Sequence, residues 1–115
     1  MGQAAHGRWA QASSIADLQA LLQAPEPVIV LVGAAWCLPA LLQKQVLEEA
    51  DLPARLVYVD ADAADAAARW LRCGTVPTLI IFAGGQEAWR SEGFAMPELV
   101  RARLEQAVAT ANRAS

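Results

Sequence analysis

Three apolar runs along the chain predict the strands of a central sheet. Residues 28–32 form a continuous run of β-branched and aliphatic side chains without alternation, which is typical of a strand covered on both faces. Arg55–Asp60 predicts a second interior strand, and residues 76–82 begin a third. A Gly-Gly pair at 84–85 then predicts a hairpin turn into Gln86–Glu92. The chain is therefore expected to build one sheet that ends in an antiparallel pair.

Segments whose apolar residues have helical spacing lie before, between and after these runs. The predicted helices cover residues 14–23, 38–50, 62–71 and 96–111. Ser14 followed by Asp17 resembles an N-cap with an acidic first turn. The periodicity of the second helix runs through Leu41, Leu42 and Val46, and the inward side of the last helix is expected to carry Leu99, Val100, Leu104 and Val108. Residues 1–13 are small and polar apart from Trp9, so the first element is expected to be a helix.

The order of these elements predicts the architecture. A leading helix is followed by strand, helix, strand and helix, and then by two strands and a final helix. Parallel neighbours need crossover helices, whereas the last two strands form a hairpin. The expected fold class is therefore α/β, with a central mixed β-sheet flanked by helices on both faces in three layers. At 115 residues, the chain is expected to be a single domain over residues 1–115.

Composition and charge narrow the classes of function. The chain is 56% hydrophobic and 18% charged, and its formal net charge is −3. No segment concentrates Lys and Arg, so we expect no nucleic-acid partner. The longest apolar run, residues 28–42, is broken by Gly33 and Pro39 and is too short to cross a bilayer, and residues 1–20 lack the apolar core of a signal peptide. We therefore expect a cytoplasmic protein without a membrane partner.

A cysteine lies where the best predicted strand passes into a helix. The segment is Trp36-Cys37-Leu38-Pro39-Ala40. A thiol is nucleophilic only as its thiolate, which the free N–H groups and dipole of a helix N-terminus stabilise. Pro39 is compatible with the first helical turn, and Trp36 can cover one side of the thiol. A reactive thiol is the favoured interpretation, and a buried, unreactive core cysteine is the alternative.

A proline at the start of a strand is the second unusual feature. Pro77, in Val76-Pro77-Thr78, cannot donate to the sheet ladder and therefore needs a special backbone position, for which a cis peptide bond is one solution. An ordinary proline at a strand start is the alternative.

Together these segments resemble the thioredoxin family. Residues 36–40, Trp-Cys-Leu-Pro-Ala, are similar to the family's Trp-Cys-Gly-Pro-Cys motif, and residues 75–78, Thr-Val-Pro-Thr, are similar to its cis-proline loop. The likeness covers nearly the whole chain and implies a thioredoxin fold. It also implies that the Cys37 thiolate attacks a substrate disulfide while the backbone of Val76 pairs with the extended substrate beside cis-Pro77. The residues implied to rim the substrate-binding surface are Trp36, Pro39, Val76 and Gly93.

Three positions depart from the family pattern. Ala40 stands where the family has its resolving cysteine, so a mixed disulfide at Cys37 has no neighbour in the motif to release it. Leu31 stands where the family usually has a buried acid, and Tyr58 stands where it usually has a nearby lysine. Ala40 is either a natural residue or a substitution made to trap mixed disulfides. Cys73 is a candidate second thiol, with a structural role as the favoured interpretation.

Two functions are consistent with this pattern. The first is a thiol–disulfide oxidoreductase that acts through Cys37 on protein or small-molecule disulfides, with glutathione, thioredoxin reductase or a second protein thiol as its partner and no resident cofactor. A disulfide-linked dimer through Cys37 is a further expectation. The second function is a redox-inactive protein-binding or chaperone-like module. No metal is expected, because the single histidine, His6, lies in the polar N-terminal stretch and two cysteines do not make a four-ligand site.

Overall fold

A computed structural model describes residues 8–114 of the chain, so His6 lies outside the described residues. The elements are β1 (Trp9–Gln11), α1 (Ile15–Leu22), β2 (Val28–Gly33), α2 (Leu38–Glu49), β3 (Arg55–Asp60), α3 (Asp65–Trp70), β4 (Thr78–Ala83), β5 (Gln86–Glu92) and α4 (Pro97–Ala114). Within this part of the chain they form one five-stranded sheet with the order β1-β3-β2-β4-β5. Strands β1, β3 and β2 are parallel to one another, while β4 is antiparallel to both β2 and β5.

Alternate side chains of the central strands enter two separate hydrophobic clusters. On one face, Val30 of β2 packs with Leu18 of α1 and Ala67 of α3. On the other face, Leu31 packs with Leu47 of α2 and with buried side chains of α4. All six residues of β2 are buried, as expected for a strand covered on both faces. The predicted three-layer α/β fold with a mixed sheet is confirmed.

The first element of the chain was predicted wrongly. A strand, β1, precedes α1 and pairs in parallel with β3, where only a leading helix was expected. Three residues are too short to show a strand period, and two of them are only half-buried, so no apolar run marks the strand. Trp9 contributes its ring, which meets Tyr58 edge-on at a centroid distance of 6.5 Å. A long-range contact therefore forms this strand.

The helix limits follow local hydrogen bonds. The predicted cap of α1 is confirmed, because the Ser14 Oγ accepts a hydrogen bond from the Asp17 N–H at 3.1 Å. Helix α3 begins at Asp65, three residues later than predicted, since the Asp60 carboxylate accepts the N–H groups of residues 62 and 63 and holds this stretch as a turn.

In α4, Leu99 is exposed, which corrects its predicted inward position. The buried positions of α4 are Val100, Leu104 and Ala107.

No helix within residues 8–114 combines the length and the apolar character that crossing a bilayer requires.

An ion pair on β5 is expected to give the fold a small pH dependence. The Arg90 guanidinium donates to both carboxylate oxygens of Glu87 at 2.8 Å, and this hydrogen bonding holds the pKa of Glu87 below its usual value. Because the folded-state pKa is lowered, the pair stabilises the fold above the unfolded-state pKa of about 4.3, and the stabilisation is lost as the pH falls through the folded-state pKa. Glu87 is partly exposed, so we expect Glu87→Gln to lower the free energy of unfolding at neutral pH by at most about 1 kcal/mol.

Urea titrations of both proteins at neutral pH and at about pH 3 test this expectation, because the difference should be smaller at the acidic value. Glu105→Gln, at an exposed position of α4, is the matched control. A difference between Glu87→Gln and the parent chain that is the same at both pH values would contradict it.

Candidate functional site

The Cys37 thiol lies at the junction between β2 and α2. Cys37 is the N-cap residue of α2, with extended backbone angles of φ −99° and ψ 100°. Its N–H donates to the Ala34 carbonyl at 3.0 Å, and its carbonyl accepts the N–H groups of Ala40 and Leu41, both at 3.1 Å. The side chain makes no capping hydrogen bond and is 7% exposed. The thiol is thus fixed at the N-terminus of α2, the end that carries the positive pole of the helix dipole.

Two neighbours of Cys37 in the motif face solvent. Pro39 lies in the first turn of α2, where its missing N–H leaves no intrahelical hydrogen bond unmade. Trp36 is 71% exposed, and its Nε1–H donates to the Asp62 carboxylate at 2.8 Å. The turn made by Asp60 carries Asp62, so the end of β3 orients the indole ring. This contact was not predicted from the sequence.

The loops that were predicted to bind substrate meet beside Cys37. The Val76–Pro77 peptide bond is cis, and Val76 packs against the small cluster of Ala34, Cys37 and Ala40. The Gly93 N–H donates to the Pro77 carbonyl at 2.8 Å, which joins the loop before α4 to the loop before β4. Gly93 has φ of +89°, a backbone angle that favours glycine. The structure therefore brings Cys37 and the Val76, Pro77 and Gly93 backbone to one end of the sheet.

Ala40 occupies a closely packed position behind the thiol. Its side chain is fully buried, and its Cβ would lie 2.8 Å from a Cβ added at Gly33. The Tyr58 hydroxyl oxygen would lie 3.0 Å from the same added atom, so the Ala40 methyl and the Tyr58 hydroxyl both line the Gly33 backbone. Leu31 is also fully buried, opposite Tyr58 in the parallel ladder. Two aliphatic side chains, Ala40 and Leu31, thus stand where the resemblance implies a thiol and an acid.

The phenol of Tyr58 is held in its neutral form. Burial raises the pKa of Tyr58, and the negative charges of Asp60, of the Cys37 thiolate and of Asp62 raise it further. The Lys44 ammonium lies 4.4 Å from the centre of the Tyr58 ring, within the range of a cation–π contact. The hydroxyl is therefore a hydrogen-bond donor near neutral pH.

Cys73 belongs to a different part of the core. It packs at the edge of the cluster formed with α1 and α3, and both cysteines are free thiols. Burial raises the pKa of the Cys73 thiol, and the Arg90 guanidinium, 3.9 Å from its sulfur, offsets part of this rise. A raised pKa leaves little thiolate at neutral pH, which disfavours Cys73 as a nucleophile.

A buried glutamine on α2 was missed by the sequence analysis. The apolar periodicity through Leu41, Leu42 and Val46 predicted the helix, but Leu41 and Leu42 are exposed. The residues of α2 that are buried against the rest of the fold are Ala40, Gln43 and Leu47. Gln43 makes two hydrogen bonds to the backbone of Ala95, in the loop that follows Gly93. Ala40, Gln43 and Leu47 do have the i, i+3, i+7 spacing of one helix face. The stripe of Leu41, Leu42 and Val46 is more hydrophobic, however, and was therefore predicted to be the buried face.

Large apolar side chains are exposed on the segments around the thiol. Trp36 and Leu38 flank Cys37 in the chain and are 71% and 73% exposed, and Phe94 and Met96 follow Gly93 and are 39% and 58% exposed. We call these four residues the apolar rim. Exposed apolar patches are typical of sites that bind another chain.

The fold and this site define a thioredoxin-like protein with one cysteine in its motif. The Alicyclobacillus acidocaldarius thioredoxin is 33% identical over 93 residues, which cover 77% of this chain and 89% of that protein. A thioredoxin-like protein of Synechocystis is 34% identical over 77 residues, covering 64% of this chain and 73% of that protein. The chain therefore belongs to the thioredoxin family. No protein-family model matches it.

Solved structures show the same fold. Schistosoma mansoni thioredoxin superposes with a TM-score of 0.76 and 24% identity, over 88% of this chain and 96% of that one. A mutant of Halobacterium salinarum thioredoxin has a TM-score of 0.73 and 22% identity, over 86% and 88% of the two chains.

Proposed function

We propose that this chain is a thiol–disulfide oxidoreductase that acts through Cys37 alone. The observation that carries the proposal is the position of Cys37 at the N-terminus of α2 and against Val76, which precedes the cis-Pro77 bond. Nucleophilic cysteines commonly lie at helix N-termini, and an extended substrate backbone can lie along the Val76 loop as an added strand. The substrates are protein or small-molecule disulfides whose flanking residues contact the apolar rim.

The reaction is a series of thiol–disulfide exchanges in which the number of electrons is conserved. The Cys37 thiolate attacks one sulfur of the substrate disulfide, forming a mixed disulfide and releasing the other substrate sulfur as a thiolate. Because Ala40 supplies no resolving thiol, an external thiolate attacks the Cys37 sulfur and frees the second substrate thiol. A second external thiol then regenerates Cys37 and leaves the external pair oxidised. Glutathione or a protein dithiol supplies these two electrons, so we place the protein in a reducing compartment such as the cytoplasm.

Formation of the mixed disulfide tests the proposal. The reduced protein is incubated with glutathione disulfide or with a disulfide-bonded peptide, and the adduct is located by mass spectrometry after digestion. We expect one adduct at Cys37 in the parent chain and in the Cys73→Ser variant, and none in the Cys37→Ser variant. Cys73→Ser is the matched control because it removes the other thiol outside the motif. An adduct at Cys73 alone, or no adduct under conditions that modify a free cysteine, would overturn the proposal.

The exposed apolar rim favours a second candidate function. Trp36 and Leu38 are both more than two-thirds exposed, and a surface of this kind also suits a binding or chaperone-like module that performs no exchange. This alternative predicts that Cys37→Ser retains the affinity for a bound polypeptide, whereas Trp36→Ala loses it. The proposed oxidoreductase function predicts that Cys37→Ser loses covalent capture of the substrate.

Size-exclusion chromatography with and without a reductant tests whether a disulfide-linked dimer forms through Cys37.

A further inference from the structure

One buried side-chain amide joins the helix that begins at Cys37 to the loop that follows Gly93. Gln43 is fully buried on α2. Its Nε2 donates to the Ala95 carbonyl at 2.9 Å, and its Oε1 accepts the Ala95 N–H at 2.7 Å. Ala95 is itself 3% exposed. A single side chain therefore satisfies both backbone groups of a buried loop residue, as a neighbouring strand would.

This loop is attached to both other segments of the candidate site. At Gly93 its backbone N–H donates to the Pro77 carbonyl at 2.8 Å, and two residues later the Gln43 amide holds Ala95 to α2. Phe94, between these two attachments, and Met96, directly after them, are the rim residues of the loop. This half of the apolar rim is thus attached to the Pro77 loop at one point and to α2, the helix that begins at Cys37, at the other.

The amide has a geometric effect that an apolar residue of the same size would lack. Its neighbours on the buried stripe, Ala40 and Leu47, contact the core without polar groups. A methionine at position 43 would fill a similar volume but would leave the Ala95 N–H and carbonyl without these two hydrogen bonds. The loop would then shift to reach water or another partner. The pair of hydrogen bonds fixes the place and orientation of the loop backbone.

We propose that Gln43 is a positioning residue for exchange with polypeptide disulfides, which acts by holding the loop of Phe94 and Met96 in register with Cys37. This inference rests on the function proposed above. It concerns substrates long enough to contact the rim, and a small alkylating reagent serves as the comparison. Misplacement of a binding surface by about 1 Å slows a reaction strongly even when the reacting group is intact.

Two rates separate this role from a purely structural one. The first is the rate of Cys37 alkylation by iodoacetamide, and the second is the rate of mixed-disulfide formation with a disulfide-bonded peptide long enough to contact the rim. Both are measured in a Cys73→Ser background, so that only Cys37 reacts. For Gln43→Met we expect the peptide rate to fall about tenfold while the alkylation rate stays within about twofold. Gln45→Met is the matched control, because Gln45 lies on the exposed side of the same helix and bonds to Glu49.

The outcomes are distinct. A selective loss of the peptide rate in Gln43→Met, absent from Gln45→Met, supports the inference. Equal rates in Gln43→Met and the parent chain, or an equal fall of both rates, overturn it. If Gln43→Met does not fold, Gln43→Glu takes its place, because it keeps an acceptor for the Ala95 N–H. Failure of both variants to fold would show a structural role and overturn the inference. Absence of any adduct in the parent chain defeats the proposed oxidoreductase instead, and the two failures are thereby distinguished.

Discussion

Replacing Ala40 with cysteine is expected to convert stoichiometric capture of disulfides into catalytic turnover. Residues 37 and 40 are three positions apart at the start of α2, and the Ala40 N–H already donates to the Cys37 carbonyl. Side chains at this spacing share one helix face, and their Cα separation suits a disulfide. An internal thiol attacks a mixed disulfide at high effective concentration, so we expect turnover with a dithiol reductant to rise by about a hundredfold or more.

Ala40 and Cys37 belong to the same small buried cluster. Ala40 is fully buried, and its Cβ lies close to the Gly33 backbone. We therefore expect a sulfur introduced at position 40 to lie beside the Cys37 sulfur. Formation of an internal disulfide is measured by the loss of two free thiols on mild oxidation, and turnover is measured by insulin reduction with dithiothreitol, or with thioredoxin reductase and NADPH.

Leu41→Cys is the matched control for this experiment. Position 41 is adjacent in the chain, but its side chain is 42% exposed and does not belong to the buried cluster of Ala34, Cys37 and Ala40. We expect Leu41→Cys to add a titratable thiol without forming the internal disulfide or raising turnover. Equal turnover of Ala40→Cys and the parent chain, with the internal disulfide formed, would show that the missing thiol is not what limits the reaction.

The parts of the fold that were predicted correctly are those with strong local signals. Residues 28–32 are apolar throughout, which requires cover on both faces, and β2 is the fully buried strand at the centre of the sheet. The cap at Ser14 depends on residues three positions apart and was visible in the sequence. The position of Cys37 followed from the strand before it and the proline after it. Each of these inferences needs only neighbouring residues.

The features that escaped prediction depend on contacts between distant segments. Strand β1 is three residues long and is formed by pairing with β3, more than forty residues away. The buried stripe of α2 contains Gln43, which is stable in the core because Ala95, 52 residues later, supplies both hydrogen-bond partners. The spacing of Gln43 with Ala40 and Leu47 is a weaker local signal than the apolar stripe of Leu41, Leu42 and Val46, so hydrophobicity alone did not place Gln43 in the core. The same limit applies to Gly33, whose role depends on two residues from different elements.

Gly33→Ala is expected to destabilise the fold by about 1–3 kcal/mol through overpacking at the end of β2. A Cβ at this position would lie 2.8 Å from the Ala40 Cβ and 3.0–3.1 Å from the hydroxyl and ring edge of Tyr58. The Ala40 carbon is fixed to the helix backbone, and the Tyr58 ring contacts both Trp9 and Lys44. Neither neighbour is the flexible end of a side chain, so the clash must move α2 or the ring.

Urea unfolding measures this cost as a lower midpoint at an unchanged slope. Gly74→Ala is the matched control, because a Cβ at Gly74 meets no atom within 4 Å. We expect Gly74→Ala to change stability little. If Gly33→Ala were as stable as Gly74→Ala, the close approach of α2 to β2 would not be the reason for a glycine at position 33.

A double-mutant cycle identifies which neighbour opposes the added methyl group. Ala40→Gly removes the atom at 2.8 Å, and we expect it to recover most of the loss in Gly33→Ala, apart from the cost of about 1 kcal/mol for glycine in a helix. Tyr58→Phe removes only the hydroxyl and should recover less. Greater recovery by Tyr58→Phe would make the phenol the principal obstacle. The result bears on catalysis, because the Ala40 carbon that excludes a side chain at Gly33 is also the point from which a resolving thiol would project.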